Sequence, residues 1–174
     1  MKKIILATLI SSAMSTSVLA ANAGQGTVTF EGSIIEAACG ISPESTDQTV
    51  NLGQVASAQL TKNGTSRPVP FTIKLVDCDT SEKKTVNVQF TGAINSELDD
   101  ALAIQGSASG AGVVITGLDG APVKLDGSKP AEADYVTLQN SDNSLLFSAY
   151  LKADGTEVIP GSFTALANFT MSYN

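Results

Sequence analysis

The hydrophobic and polar positions of the chain alternate with a period of two over most of its length. Val28-Thr-Phe30-Glu-Gly32-Ser-Ile34 alternates cleanly, as do Phe71-Thr-Ile73-Lys-Leu75 and Val86-Asn-Val88-Gln-Phe90. The final run, Phe163-Thr-Ala165-Leu-Ala167-Asn-Phe169-Thr-Met171-Ser-Tyr173, keeps the same pattern. Successive side chains of a strand point to opposite faces, so these runs predict strands with one buried face. Shorter strand candidates lie at 50–52, 101–104, 112–116, 123–125, 135–138 and 145–151. Lys62-Asn63-Gly64, Leu118-Asp119-Gly120, Leu125-Asp126-Gly127 and Ala153-Asp154-Gly155 supply turn chemistry between them. Only residues 55–60 suggest a turn of helix. Many short strands so spaced predict an antiparallel β-sandwich.

The first 23 residues follow a different pattern. Lys2 and Lys3 precede an apolar stretch from Ile4 to Ile10, and small residues follow up to Ala23. This predicts a secretory signal, with cleavage after Ala23 or, as the rival site, after Ala20. Ser11, Ser12, Ser15, Thr16 and Ser17 make the segment too polar and short for a membrane anchor. Export bears on Cys39 and Cys78, the two cysteines of the chain. In an oxidising compartment such a pair most simply forms one disulfide. Closing a loop of about 40 residues should stabilise the fold by about 4 kcal/mol on the chain-entropy view. A redox or nucleophilic pair is the rival reading, but the spacing is far from C-x-x-C and no His is present to act as base.

Composition then removes function classes. With 174 residues and 43% hydrophobic side chains the chain can bury a core, and at 16% charged it is too apolar for disorder. The lack of any His excludes Ser-His-Asp and Cys-His relays and His-ligated metals, and two cysteines cannot build a tetrathiolate site. The net charge of −7 becomes −9 once Lys2 and Lys3 leave with residues 1–23, since that segment holds no acids. Nucleic acid is therefore a poor partner. An enzyme is disfavoured, and no cofactor or metal is expected. The glycine-rich 106–112 lacks the ending of a phosphate loop and reads as a strand connection. Glu97, Asp99 and Asp100 read as a solvated acidic turn rather than a calcium loop or a glycosidase pair. Asn63 and Asn168 begin sequons, the latter in a predicted strand.

Both ends of the exported chain are unusual. Gly24 to Ile35 is strand-like, with Val28, Phe30 and Ile34 on one face and Gly32 between them, where a terminus is ordinarily frayed and polar. Residues 163–174 carry no charge and no proline, the usual devices that blunt an open strand edge. Either both ends pair within one domain, or the N-terminal strand of one molecule fills a sheet edge of another.

Ordered motifs then carry a family resemblance. Gly26-Thr-Val-Thr-Phe-Glu-Gly32-Ser-Ile-Ile-Glu-Ala-Ala-Cys39, Val50-Asn-Leu-Gly53-Gln-Val55, Pro70-Phe71-Thr-Ile73-Lys-Leu75-Val-Asp-Cys78 and Gly161-Ser-Phe163-Thr-Ala165-Leu-Ala167-Asn-Phe169 occur in this order. Gly161 lies fourteen residues from the end and Tyr173 next to last. The chain resembles subunits of chaperone–usher fimbriae, specifically the type 1 fimbrial major pilin family. Gly40 departs from the polar residue that many relatives have after the cysteine.

The resemblance implies an all-β, incomplete immunoglobulin-like sandwich that lacks its last strand and is completed by a donor strand from a neighbouring subunit. It divides the chain into a signal peptide, 1–23, a donor-strand extension, 24–35, and a pilin domain, 36–174. Val28, Phe30, Gly32 and Ile34 would be the donor residues. Gly161, Phe163, Ala165, Ala167, Phe169, Met171, Tyr173 and Asn174 would frame the acceptor groove and bind the chaperone. The implied partners are like subunits in a homopolymer, a periplasmic chaperone and an outer-membrane usher, with a fimbrium on the cell surface as the product. Alternatives are a minor or adaptor pilin of the same system, or a monomeric secreted β-sandwich that binds sugar or calcium.

Overall fold

The computed structural model describes residues 26–174; the expected signal, Gly24 and Gln25 lie outside the described residues. The chain divides into two units at Ile35. In the first, residues 26–35 form no helix and pair with no strand, and Val28, Phe30, Ile34 and Ile35 are exposed, Phe30 to 90%.

The second unit, Glu36–Asn174, is built from antiparallel strands. In chain order these are β1 (Gly40–Ile41), β2 (Val69–Cys78), β3 (Thr85–Gly92), β4 (Leu102–Ala103), β5 (Gln105–Gly106), β6 (Ala111–Thr116), β7 (Val136–Thr137), β8 (Ser141–Ala153), β9 (Phe163–Thr164) and β10 (Ala167–Tyr173). Two single turns of helix, α1 (Pro43–Thr46) and α2 (Ser57–Leu60), and a 3₁₀ turn at Glu132–Asp134 complete it. One sheet has the order β1-β2-β8-β6-β4, a second β10-β3-β7, and β5 pairs with β9. This is an all-β sandwich of immunoglobulin-like type.

The period-two residues of β2 and β3 form the core as their alternation requires. Ile73, Leu75, Val86 and Leu145 are fully buried, and Phe90, Leu102, Val113, Ile115 and Leu151 surround them. Aromatic rings tie the sheets together. Phe71 of β2 stacks on Phe147 of β8 at 5.6 Å, Phe147 meets Phe90 of β3 edge-on at 5.1 Å, and Phe90 lies 6.4 Å from Phe169 of β10. Such pairs contribute roughly 0.5–1.5 kcal/mol beyond the area they bury. Cys39 and Cys78 form a disulfide, with Cα atoms 4.1 Å apart, that ties the residue before β1 to the last residue of β2.

Three of the four expected turns form by one local device. In Asp119-Gly120, Asp126-Gly127 and Asp154-Gly155 the carboxylate accepts the amide of the residue two positions on, at 2.9, 2.8 and 2.9 Å. Each glycine then turns the chain at positive φ. Hydrogen bonds from Ser128 hold the Asp126 carboxyl below its usual range. For Asp154, burial opposes ionisation, yet bonds from Thr156 and Asn95 outweigh it and lower the pKa.

Several expected strands differ. Residues 50–52 form none, because Asn51 accepts the amide of Gly53 at 2.8 Å and bends the chain into a turn at Gly53, φ 71°. Residues 123–125 lie between two of the Asp turns and form no strand; isolated bridges flank them at Pro122 and Asp126. The long C-terminal run is two strands. It changes partner at Ala165–Leu166, where β9 on β5 gives way to β10 on β3, while its in–out alternation continues. The turn α1 was hidden from periodicity by its length; Pro43 and Glu44 in its first turn are its signals.

Candidate functional site

β10 stands at the end of its sheet, paired with β3 alone. Its register decides which backbone groups are free. Asn174 and Thr85 exchange both hydrogen bonds at 3.0 Å, so the alternate residues Ser172, Thr170 and Asn168 also direct their N–H and C=O at β3. Ala167, Phe169, Met171 and Tyr173 must then direct theirs away from it. The partner residues agree: Phe90 and Gly92 of β3, opposite Phe169 and Ala167, turn their backbone groups to Gly127 and Leu125 on the other side. The outer backbone edge of β10 has no strand partner among the described residues.

The side chains of these same residues line the sandwich interior. Phe163, Ala165, Ala167, Phe169, Met171 and Tyr173 pack against the core yet stay half-buried, whereas Thr164, Leu166, Asn168 and Thr170 on the other face are exposed. An edge with open hydrogen bonds, half-covered apolar side chains and no charge along residues 163–174 is the kind that soluble proteins normally blunt.

The facing sheet also ends openly. β1 is two residues long and pairs only with β2. Its ladder stops at Lys74, whose N–H donates to the Ser45 hydroxyl of α1 at 2.9 Å, while the Ser42 amide reaches the Lys74 carbonyl at 3.0 Å. The two edges meet at one end. There the Tyr173 hydroxyl donates to the Cys39 carbonyl at 3.4 Å, and burial pushes the phenol pKa up. The disulfide fixes Cys39 in turn.

Other expected residues are placed as follows. Gly161 lies against the 106–112 segment, where a Cβ would come 2.6 Å from the Ala108 nitrogen; Ser107 and Ala108 donate to the Ser162 carbonyl at 3.0 and 3.1 Å. The glycines of that segment serve the same close approach, since a Cβ on Gly110 would come 2.7 Å from the Cα of Val158. The Asn174 backbone oxygen accepts the amides of Lys84 and Thr85 at 2.8 and 3.0 Å, which pins the end of the edge strand. Val28, Phe30 and Ile34 are exposed, and a Cβ on Gly32 would meet nothing within 4 Å. Asp100 of the acidic turn pairs with Lys152 at 2.8 Å. Among the described residues no His, Cys, Asp and Glu group is arranged to hold a metal ion, and no helix is long and apolar enough to cross a membrane. Periodicity passed over a polar clasp behind β10. Asn87 of β3, almost fully buried, donates to the Ser172 carbonyl at 3.2 Å, and Gln89 donates to both Asn87 and the Ser172 hydroxyl at 2.8 and 3.0 Å.

The site is thus an immunoglobulin-like sandwich whose apolar edge strand is paired on one side only among the described residues. Comparison with known proteins names the class. The family described as fimbrial protein matches residues 28–174. Fimbria A protein of Serratia marcescens is 45% identical over 99% of this chain and 98% of its own length. Major MR/P fimbria protein of Proteus mirabilis is 43% identical over 93% and 91%. Among solved structures, the P pilus rod subunit PapA superposes with a TM-score of 0.70 at 36% identity, covering 79% of this chain and all of that one. A subunit of a chaperone–usher pilus superposes with 0.75 at 36% identity, covering 87% and 97%. The chain belongs to the fimbrial protein family and is a structural pilus subunit. That family is one of structural pilins rather than enzymes, and its members form fimbriae at the cell surface.

Proposed function

We propose that this subunit polymerises by donor-strand exchange: residues 24–35 of one copy lie along β10 of the preceding one and complete its sandwich. One observation carries the reading. Ala167, Phe169, Met171 and Tyr173 present unpaired backbone groups and half-covered apolar side chains along one edge. An added strand satisfies both needs at once, and the alternating Val28, Phe30 and Ile34 supply side chains that have no burial of their own. Burying each stabilises the pair by roughly 1.5–3 kcal/mol, and backbone pairing adds to it.

An edge of this kind is an aggregation hazard until filled. A periplasmic chaperone lends a strand to Phe163–Asn174 after the signal at 1–23 has directed export, and an outer-membrane usher is where the next subunit's extension replaces it. The likeness to major fimbrial proteins favours the repeating rod subunit over an adaptor. Gly32 is the position of the donor where no side chain fits. Gly32→Trp should therefore abolish surface filaments in electron micrographs while residues 36–174 are still captured by the chaperone. Normal filaments from Gly32→Trp would contradict the reading.

A further inference from the structure

We propose that Leu166, an exposed apolar side chain at the Gly92 end of the open edge, forms the seat for Ile35 of the next copy in the filament. The inference rests on strand exchange and adds where the body of the incoming subunit comes to lie.

The polypeptide enters its own sandwich at Glu36, three residues before Cys39, and the Cys39 carbonyl holds the Tyr173 hydroxyl. Each subunit's extension therefore leaves at the Tyr173 end of the open edge. A donor strand running parallel to β10 would bring the next subunit's body to that same end, over the departing extension. An antiparallel donor brings it to the other end, at residues 163–167. There Ala167 pairs with Gly92, and the Leu166 carbonyl stands 2.8 Å from where a Cβ on Gly92 would sit.

Leu166 is 75% exposed on the face where its alternate neighbours are Thr164, Asn168 and Thr170, so it has no part in its own core. On the donor, Ile35 is 61% exposed and has the opposite parity to Val28, Phe30 and Ile34. When those three face the groove, Ile35 faces out, as Leu166 does. An antiparallel register that sets Gly32 against the bulky Phe169 and Ile34 against the small Ala167 places Ile35 directly across from Leu166. Cross-strand neighbours on one face are close enough to interact directly.

The test uses assembled filaments carrying Ile35→Cys together with Leu166→Cys. After mild oxidation and denaturation without reductant, the double variant should give a ladder of covalent oligomers and each single variant only monomer. Filaments that form and yield no ladder would overturn the seat. A second variant needs no new thiol: Leu166→Asp should lower the temperature at which filaments dissociate by at least 10 °C, while the unfolding midpoint of a monomer complemented with residues 24–34, which lack Ile35, stays put. Filaments as heat-resistant as the parent would also overturn the seat. Filaments that assemble without residues 24–35 would instead overturn the strand-exchange reading itself.

Discussion

A chain carrying a second copy of residues 24–35 after Asn174, joined by a flexible linker, should be a soluble monomer that unfolds far above the unfused subunit. The linker lets the added segment fold back antiparallel along β10, at an effective concentration in the millimolar range. Burial of Val28, Phe30 and Ile34 then stabilises the domain by roughly 5–9 kcal/mol before the cost of ordering the segment. Backbone pairing offsets much of that cost, so at a few degrees per kcal/mol for a domain of this size the midpoint should rise by about 20 °C. Size-exclusion chromatography and thermal unfolding of the two forms check this. An unfused subunit that is equally stable and monomeric without a chaperone would show that its sandwich is already complete.

Deleting residues 24–35 should have the reverse selectivity. Among the described residues the sandwich core lies within Glu36–Asn174, so the shortened subunit should keep its fold and the open edge of β10. It lacks the strand that joins it to a neighbour. The loss of several kcal/mol from each junction corresponds to more than about a thousandfold weaker association. Filaments should vanish from electron micrographs, while a chaperone still captures the subunit and retains it in the periplasm. The same subunit should still accept a synthetic peptide of residues 24–35, because its own groove is intact.

Much of this organisation is legible in the sequence because the sandwich has one dry face per strand. The alternation in 71–75 and 86–90 marks β2 and β3, and its phase correctly places Ile73, Leu75, Val86 and Phe90 inside. The aspartate–glycine pairs mark real turns because carboxylate, amide and glycine are neighbours in the chain. Short strands are less visible. Residues 50–52 look like a strand, but the Asn51 side chain outcompetes any distant partner for the local backbone. The break at Ala165–Leu166 is invisible as well, because both halves of the run keep one alternation while pairing with different strands.

The open edge of β10 divides in the same way. Its composition, apolar on one face and without charge, is plain from 163–174. Which amides face outward is a property of the β10–β3 register, settled by residues some 85 positions apart. The Tyr173–Cys39 contact that joins the two sheet edges is likewise a product of topology. The packing of Gly161 is not legible either: its backbone is pressed against Ser107 and Ala108, a fit that no local pattern encodes.

The central claim is that a neighbour's strand pairs with the outward backbone groups of β10, and residue-resolved amide exchange in assembled filaments tests it most directly. In a chain whose edge is open, Asn168, Thr170, Ser172 and Asn174 are protected by β3, while Phe169, Met171 and Tyr173 exchange with solvent. In filaments the account predicts that this alternation disappears: every amide from Asn168 to Asn174 becomes slow, together with alternate amides of residues 26–35. Filaments in which Phe169, Met171 and Tyr173 still exchange freely beside protected neighbours would contradict it.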